Sequence, residues 1–458
     1  MIHSSGFSFC ISHFYPILCQ TSPFKFVAFA QFRLFRRPRL PSGSPYFASL
    51  QNSSLWNFLC PSVFLPQAAP VFAPASFAKR RRMCSNGYKH IARHKGVVLM
   101  KYGIIGAGST GKAAAAWLHQ AGCPALVWDR SPRKRADLAQ SGLLATGKVE
   151  GQLPVETADT LEELAARCDI LLIQTLAEGH RPVAEGLVGH LRPGQILLVT
   201  NCCWGAAELA QVLGKEAAEK GCRIAETSGQ LILANSPGPG QVYLKTVKKQ
   251  LLLACTDPAA TGAVLEALRP EWPQYAAASS ILETSLSGTN PVTHGPIALF
   301  NLARMDNGED YRLFADGLSP LTARCVEQLD IERVAVARAC GVPVRTALEL
   351  LNDAWPTPQP TLYDAFHSNP SYMVTKGPAT THHRFITEDL PYGLAPLVLL
   401  GRLHGVLTPA LDALLDMFRL AMGTDYIALA PALDWKGLGA FLPRQRLPIE
   451  GKLSALAD

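Results

Sequence analysis

From residue 102 to about 255, short uninterrupted apolar runs alternate with stretches of helical character. Tyr102 to Ile105, Asp169 to Thr175, Gln195 to Asn201 and Gln250 to Cys255 are strand-length and apolar almost throughout, as expected of sheet strands covered on both faces. Lys112 to Gln120 is alanine-rich and favours helix, and Thr160-Leu161-Glu162-Glu163 has the capping-box spacing that starts a helix ending near Cys168. This alternation predicts a doubly wound parallel α/β sheet. Pro and Gly cluster from Asn235 to Gly240, a loop after which strand-like sequence resumes at Gln241. Beyond about Leu282 the period changes. Ser319-Pro320 opens a helix running through Asp330, Glu332 and Arg333 to Gly341. Thr408-Pro409 opens another, with Leu411, Leu414, Leu415, Phe418 and Met422 on its apolar face and Gly423 closing it. The second domain, 283–458, therefore reads as all-helical.

Composition separates the first 99 residues from the rest. They hold 12 Lys plus Arg, no Asp or Glu, and 13 of the 19 Phe. The remainder, with 31 basic and 36 acidic residues, carries −5, so the basic balance of the whole chain comes from this segment. It shows no periodic element and reads as an unstructured leader. Lack of acids suits an organelle transit peptide, but a start codon placed too far upstream accounts for it at least as well. The run Lys79 to Arg82 points only remotely to nucleic acid, and no nucleic-acid partner is expected. No apolar stretch after Met100 reaches membrane-span length. Eight Cys lie there without C-x-x-C spacing, which suits a reducing compartment, and a cytoplasmic location is expected.

Gly106-Ala107-Gly108-Ser109-Thr110-Gly111 lies between the first strand and the first helix, the context in which G-x-G-x-x-G binds a dinucleotide: a tight turn, close approach to a pyrophosphate, and close helix packing. The expected fold is accordingly a Rossmann domain over 100–282. Asp129, at the end of the second strand, is placed to bind an adenosine ribose, whereas Arg130 and the following Arg133, Lys134 and Arg135 suit a 2′-phosphate. NADP(H) is narrowly favoured over NAD(H).

Dehydrogenases built on this plan, with a helical domain of the 6-phosphogluconate-dehydrogenase C-terminal type, often place a catalytic Lys on that domain. Here no Lys occurs between Lys249 and Lys376. A histidine can perform the same proton transfer, and His294 lies in Gly288-Thr-Asn290-Pro291-Val-Thr-His294-Gly-Pro296, read as a turn before a helix Ile297 to Met305 at the inter-domain crevice. Arg384 offers a fork for a carboxylate, and Asp389 or Glu388 could orient His294. Asn201, Trp204 and Gln174 end strands at the same crevice, where Asn201 and Trp204, with Asn290, are candidate substrate contacts. His382 and His383 lack a third ligand, so no metal is expected.

Three motifs, Leu329-Asp330-x-Glu332-Arg333, His383-Arg384-Phe-Ile-Thr-Glu388-Asp389-x-Pro391-Tyr392-Gly393 and Gly423-x-Asp425-Tyr426, together with Asn290-Pro291-x-x-His294 and the glycine triplet, resemble the octopine/nopaline (opine) dehydrogenase family over residues 101 to 440. The resemblance implies reductive condensation of an α-keto acid with the amino group of an amino acid. It further implies His294 as proton-transferring residue, Arg384 on the keto-acid carboxylate and Asp389 as partner of the histidine. Gly295 departs from the pattern, since many relatives have Pro there. Partners are then small molecules, with no membrane and a homodimer left open. Two rivals stand beside this reading: a dehydrogenase reducing a keto acid without an amine, and a non-catalytic dinucleotide sensor.

Overall fold

The computed structural model describes residues 100–354 and 357–442. The expectations for residues 1–99 and 443–458 lie outside the described residues. The chain runs β1 (Tyr102–Ile105), α1 (Ser109–Gln120), β2 (Leu126–Trp128), α2 (Pro132–Ser141), β3 (Leu143–Gly147), β4 (Gly151–Leu153), β5 (Glu156–Thr157), α3 (Leu161–Arg167) and β6 (Ile170–Ile173). It continues α4 (His180–Gly186), β7 (Ile196–Val199), α5 (Gly205–Glu219), β8 (Arg223–Thr227), β9 (Ile232–Asn235), β10 (Gln241–Val247), β11 (Leu251–Cys255), α6 (Thr261–Leu268), β12 (Tyr275–Ala277), α7 (Ile281–Leu286) and α8 (Asn290–Phe300).

Eight strands form one sheet in the order β12-β11-β8-β7-β6-β1-β2-β5, parallel except where β11 meets β8. β1, β6 and β7 are buried along their whole length, which is why they read as continuous apolar runs. The order reverses beside β1: Ile105 pairs with Trp128 on one side and Ile173 on the other, so the three strands end level beneath one crevice. Thr160 caps α3 as expected, its hydroxyl accepting the Glu163 N–H at 3.0 Å.

A second sheet, β4-β3-β10-β9, packs on α1 and is absent from the sequence reading. Its strands β3 and β10 run parallel, with Gln241 opposite Leu144. Leu143, Ala145, Val242 and Leu244 face inward in alternation with exposed neighbours. That pattern marks a sheet with one wet face rather than a strand of the main sheet.

Beyond β12 the described residues form helices and loops, with one isolated bridge between Arg312 and Lys376. The helix Pro320–Ala339 is capped by Ser319, whose hydroxyl accepts the Thr322 N–H at 3.1 Å. The motif Asp330, Glu332, Arg333 is buried in it as a set of joints. Arg333, with none of its surface exposed, pairs with Asp330 at 2.7 Å and donates to the carbonyls of Leu286 and Arg345, each at 2.6 Å. Asp330 also accepts from the Ala347 N–H at 2.7 Å. Glu332 accepts from Ala410 and Leu411, the first N–H groups of the helix Pro409–Met422. One apolar cluster runs from Ile105, Ile173 and Val199 to Val292, Ile297, Leu397 and Phe418, so the helices pack directly on the sheet. No helix among the described residues is long and apolar enough to cross a membrane.

The placement of His294 corrects the sequence reading. It lies in the second turn of α8, which begins at Asn290 and contains Pro296, and not in a turn before Ile297. Pro291 sits in the first helical turn, where its missing N–H costs nothing, while the internal Pro296 removes one ladder bond and crowds the carbonyl four residues back.

Candidate active site

The glycine triplet has the geometry its spacing implies. Gly106 has φ +108°, and a Cβ there would lie 2.8 Å from the Gln174 carbonyl oxygen. One on Gly111 would lie 1.8 Å from the Gly106 oxygen, while nothing approaches Gly108. The turn is therefore closed on two sides and open at its middle glycine, beside the N-terminus of α1 that Ser109 and Thr110 begin, and these residues fit a dinucleotide pyrophosphate. Asp129 is buried, and its carboxylate accepts from the Ala107 N–H at 2.7 Å and the Ser131 N–H at 2.9 Å. It ties β2 to the glycine turn. Arg135 donates to the Asp129 carbonyl at 2.7 Å, whereas the Arg130 side chain is 85% exposed, 3.8 Å from Glu178.

Across the crevice, His294 Nδ1 is 2.7 Å from Asp389 Oδ2, with Asp389 buried and the imidazole half-buried. Asp389 opens the π-helical segment Asp389–Leu394, which directly follows the short helix Arg384–Thr387 and is held against α8. Phe385 stacks on the imidazole with centroids 3.7 Å apart. His383 caps the short helix, and burial, then Arg384 and His294, push it below the usual histidine range.

Of the two acids left open as orienting groups, the structure brings Asp389 to His294 and turns Glu388 away. Glu388 Oε2 lies 3.1 Å from Arg384 Nε without an aligned hydrogen bond, while Oε1 accepts from the Ala177 N–H at 2.9 Å and from Asn201 Nδ2 at 3.4 Å. Burial raises its carboxyl, offset by Arg384. The terminal nitrogens of Arg384 make no hydrogen bond among the described residues, although Asp389 and Glu388 both act on its charge. Arg384 and Asn201 thus join the group through Glu388, whose role the sequence left ambiguous.

Asn290 is exposed one turn before His294, with no hydrogen bond to this group among the described residues. Trp204 lies on the wall of a cavity lined also by Cys202, Ser285, Gly288, Pro291 and Tyr392, but its indole is buried edge-on against Trp435. Cys203 and Trp204 are left-handed, with φ +94° and +66°, the described non-glycine residues with positive φ. Ser285 accepts the Trp204 N–H at 3.2 Å and donates to Glu226, which also accepts from Thr284 and the Ala206 N–H. Sequence gave no sign of this clamp, because its parts come from three elements. Several buried polar atoms near the crevice make no hydrogen bond among the described residues: Gln174 Oε1, Thr175 Oγ1, both nitrogens of His180 and Glu208 Oε2, of which His180 Nδ1 and Glu208 Oε2 lie 3.8 Å apart. Among the described residues no cluster suited to a metal is found.

Residues 277–422 match the family described as NAD/NADP octopine/nopaline dehydrogenase, alpha-helical domain, and residues 102–257 match ketopantoate reductase PanE/ApbA. An opine dehydrogenase of Arthrobacter sp. (strain 1C) is 31% identical over 341 residues, covering 74% of this chain and 95% of the relative. Octopine dehydrogenase in complex with NADH and agmatine superposes with a TM-score of 0.61 at 16% identity, over 75% of this chain and 94% of that one. Yersinopine dehydrogenase with NADP+ bound does so with a TM-score of 0.58 at 18% identity, over 75% and 97%.

Proposed function

The chain belongs to the octopine/nopaline (opine) dehydrogenase family and is an oxidoreductase acting on the CH–NH group of donors; from that premise we propose that His294, Asp389 and Arg384 carry out an NAD(P)H-dependent condensation of an α-keto acid with an amino acid. The keto acid and the amine lose water to form an imine, and reduction of its C=N bond leaves a secondary amine bearing two carboxylates. NAD(P)H supplies the hydride. With Nδ1 committed to Asp389, His294 holds its transferable proton at Nε2 and delivers it at the condensing centre. Phe385 fixes the ring plane, and Asp389 fixes its orientation and tautomer, as a carboxylate does in a hydrolytic triad. Arg384 presents its terminal nitrogens to the keto-acid carboxylate, with Glu388 as a counter-charge beside its Nε.

The observation that carries this reading is the 2.7 Å contact between His294 and Asp389, made across 95 residues of sequence. Replacement of His294 by Ala should lower kcat by ~10²–10⁴-fold, the usual contribution of general acid–base catalysis, with cofactor affinity nearly unchanged. Near wild-type kcat in a folded His294→Ala variant would remove the assignment. For the cofactor, the commitment of Asp129 to Ala107 and Ser131, with Arg130 left exposed beside the turn, supports NADP(H) over NAD(H).

A further inference from the structure

Lys112 follows the last glycine of the dinucleotide turn and is only 7% exposed. Its ammonium reaches Ser236 Oγ and, at 3.4 Å, the Gly238 carbonyl oxygen, both in the loop joining β9 to β10 of the second sheet. Both partners are neutral, and no acidic side chain pairs with it among the described residues. The charges that act on it are Lys134, which repels it, and Asp129, whose oxygens already accept two backbone N–H groups and lie 3.6 Å from Lys134 itself. Burial and Lys134 both lower its affinity for the proton. A buried cation without a counter-charge is costly, and two lysines sharing one committed carboxylate leave the region short of negative charge.

The missing charge has a natural source. Lys134 and the exposed Arg130 flank the end of β2, where the adenosine end of a dinucleotide reaches in this fold, and Lys112 lies near enough for Lys134 and Asp129 to act on its charge. Ser236 is held in place for this: its hydroxyl lies 3.1 Å from both the Gly238 and Gln241 carbonyls, so the loop is shaped before any ligand arrives. We propose that Lys112, presented by the Ser236–Gly240 loop, is a determinant of cofactor specificity that binds the adenosine 2′-phosphate together with Lys134 and Arg130. The second sheet then has a function: it braces the inner wall of the phosphate site against α1. This inference rests on the NADP(H) reading above.

The test uses the full chain and two adenosine ligands, 2′,5′-ADP and 5′-AMP, titrated by calorimetry without turnover. Wild type should bind 2′,5′-ADP more tightly. Lys112→Gln keeps a hydrogen-bonding group for the loop but removes the charge, and should weaken 2′,5′-ADP by at least ~10-fold while 5′-AMP changes less than about twofold. Lys112→Met, read in the same way, replaces it if the Gln variant does not fold. Equal weakening of both ligands would show that Lys112 only holds the loop, and overturns the proposal. If Arg130→Ala abolishes the preference while Lys112→Gln keeps it, the inference fails and the cofactor reading stands. A wild type without preference for 2′,5′-ADP ends both.

Discussion

His294 and Asp389 show how a site residue can be legible while its setting is not. The Pro-bounded sequence around His294 reads as a turn, yet Pro is also at home in the first turn of a helix, and the structure has α8 there, packed against the π-helical segment. Glu388 and Asp389 are neighbours, and no sequence pattern tells which of two adjacent acids turns toward the histidine. The structure separates them, and their replacements should behave differently. Asp389→Asn should lower turnover and shift the pH at which it is half-maximal, since it acts through His294; an unchanged pH profile would detach it from the histidine. Arg384→Lys keeps the charge but loses the fork, so steady-state kinetics should show a raised apparent KM for the keto acid before any fall in kcat. A fall in kcat alone would place Arg384 elsewhere in the reaction.

Among the elements, those defined by neighbouring residues were readable: the glycine turn, the Thr160 and Ser319 caps, and the Gly423 stop all rest on contacts within a few positions. The second sheet was not: strand-like sequence was legible at Gln241, but β3 and β10 pair across about a hundred residues, which no local pattern records. The Asp330-Glu332-Arg333 motif was recognisable, but only the folded chain shows what it does: it joins the helix Pro320–Ala339 to α7, to the segment around Arg345 and Ala347, and to the helix Pro409–Met422. Arg333→Met should therefore leave Asp330 buried without its partner and cost about 3–5 kcal/mol in urea denaturation. A loss below about 1 kcal/mol would mean that the ion pair is not a joint of the helical domain.

On the scale of the molecule, stability should depend on pH through acids buried where sheet and helices meet. Burial pushes the carboxyls of Glu208 and Glu226 up to about 7. Their folded affinity for protons exceeds that of the unfolded chain, so the native state binds more protons between about pH 4.5 and 7, and their contribution to stability falls as pH rises through that window. His180, pushed down to about 4 by burial, acts in the opposite sense between about pH 4 and 6.5. Glu208→Gln isolates one acid: its melting temperature relative to wild type should rise from pH 5 to pH 8, and a pH-independent difference would show that Glu208 is not titrating there.

The reaction itself gives the most direct test. Pyruvate, oxaloacetate and 2-oxoglutarate should be offered to the enzyme with NADPH or NADH, each with and without a panel of amino acids, while nicotinamide absorbance is followed. A condensing enzyme oxidises the nicotinamide rapidly only when a keto acid and an amino acid are present together, and its product carries both carbon skeletons joined through nitrogen. Equal rates with the keto acid alone, giving a hydroxy acid, would contradict the account.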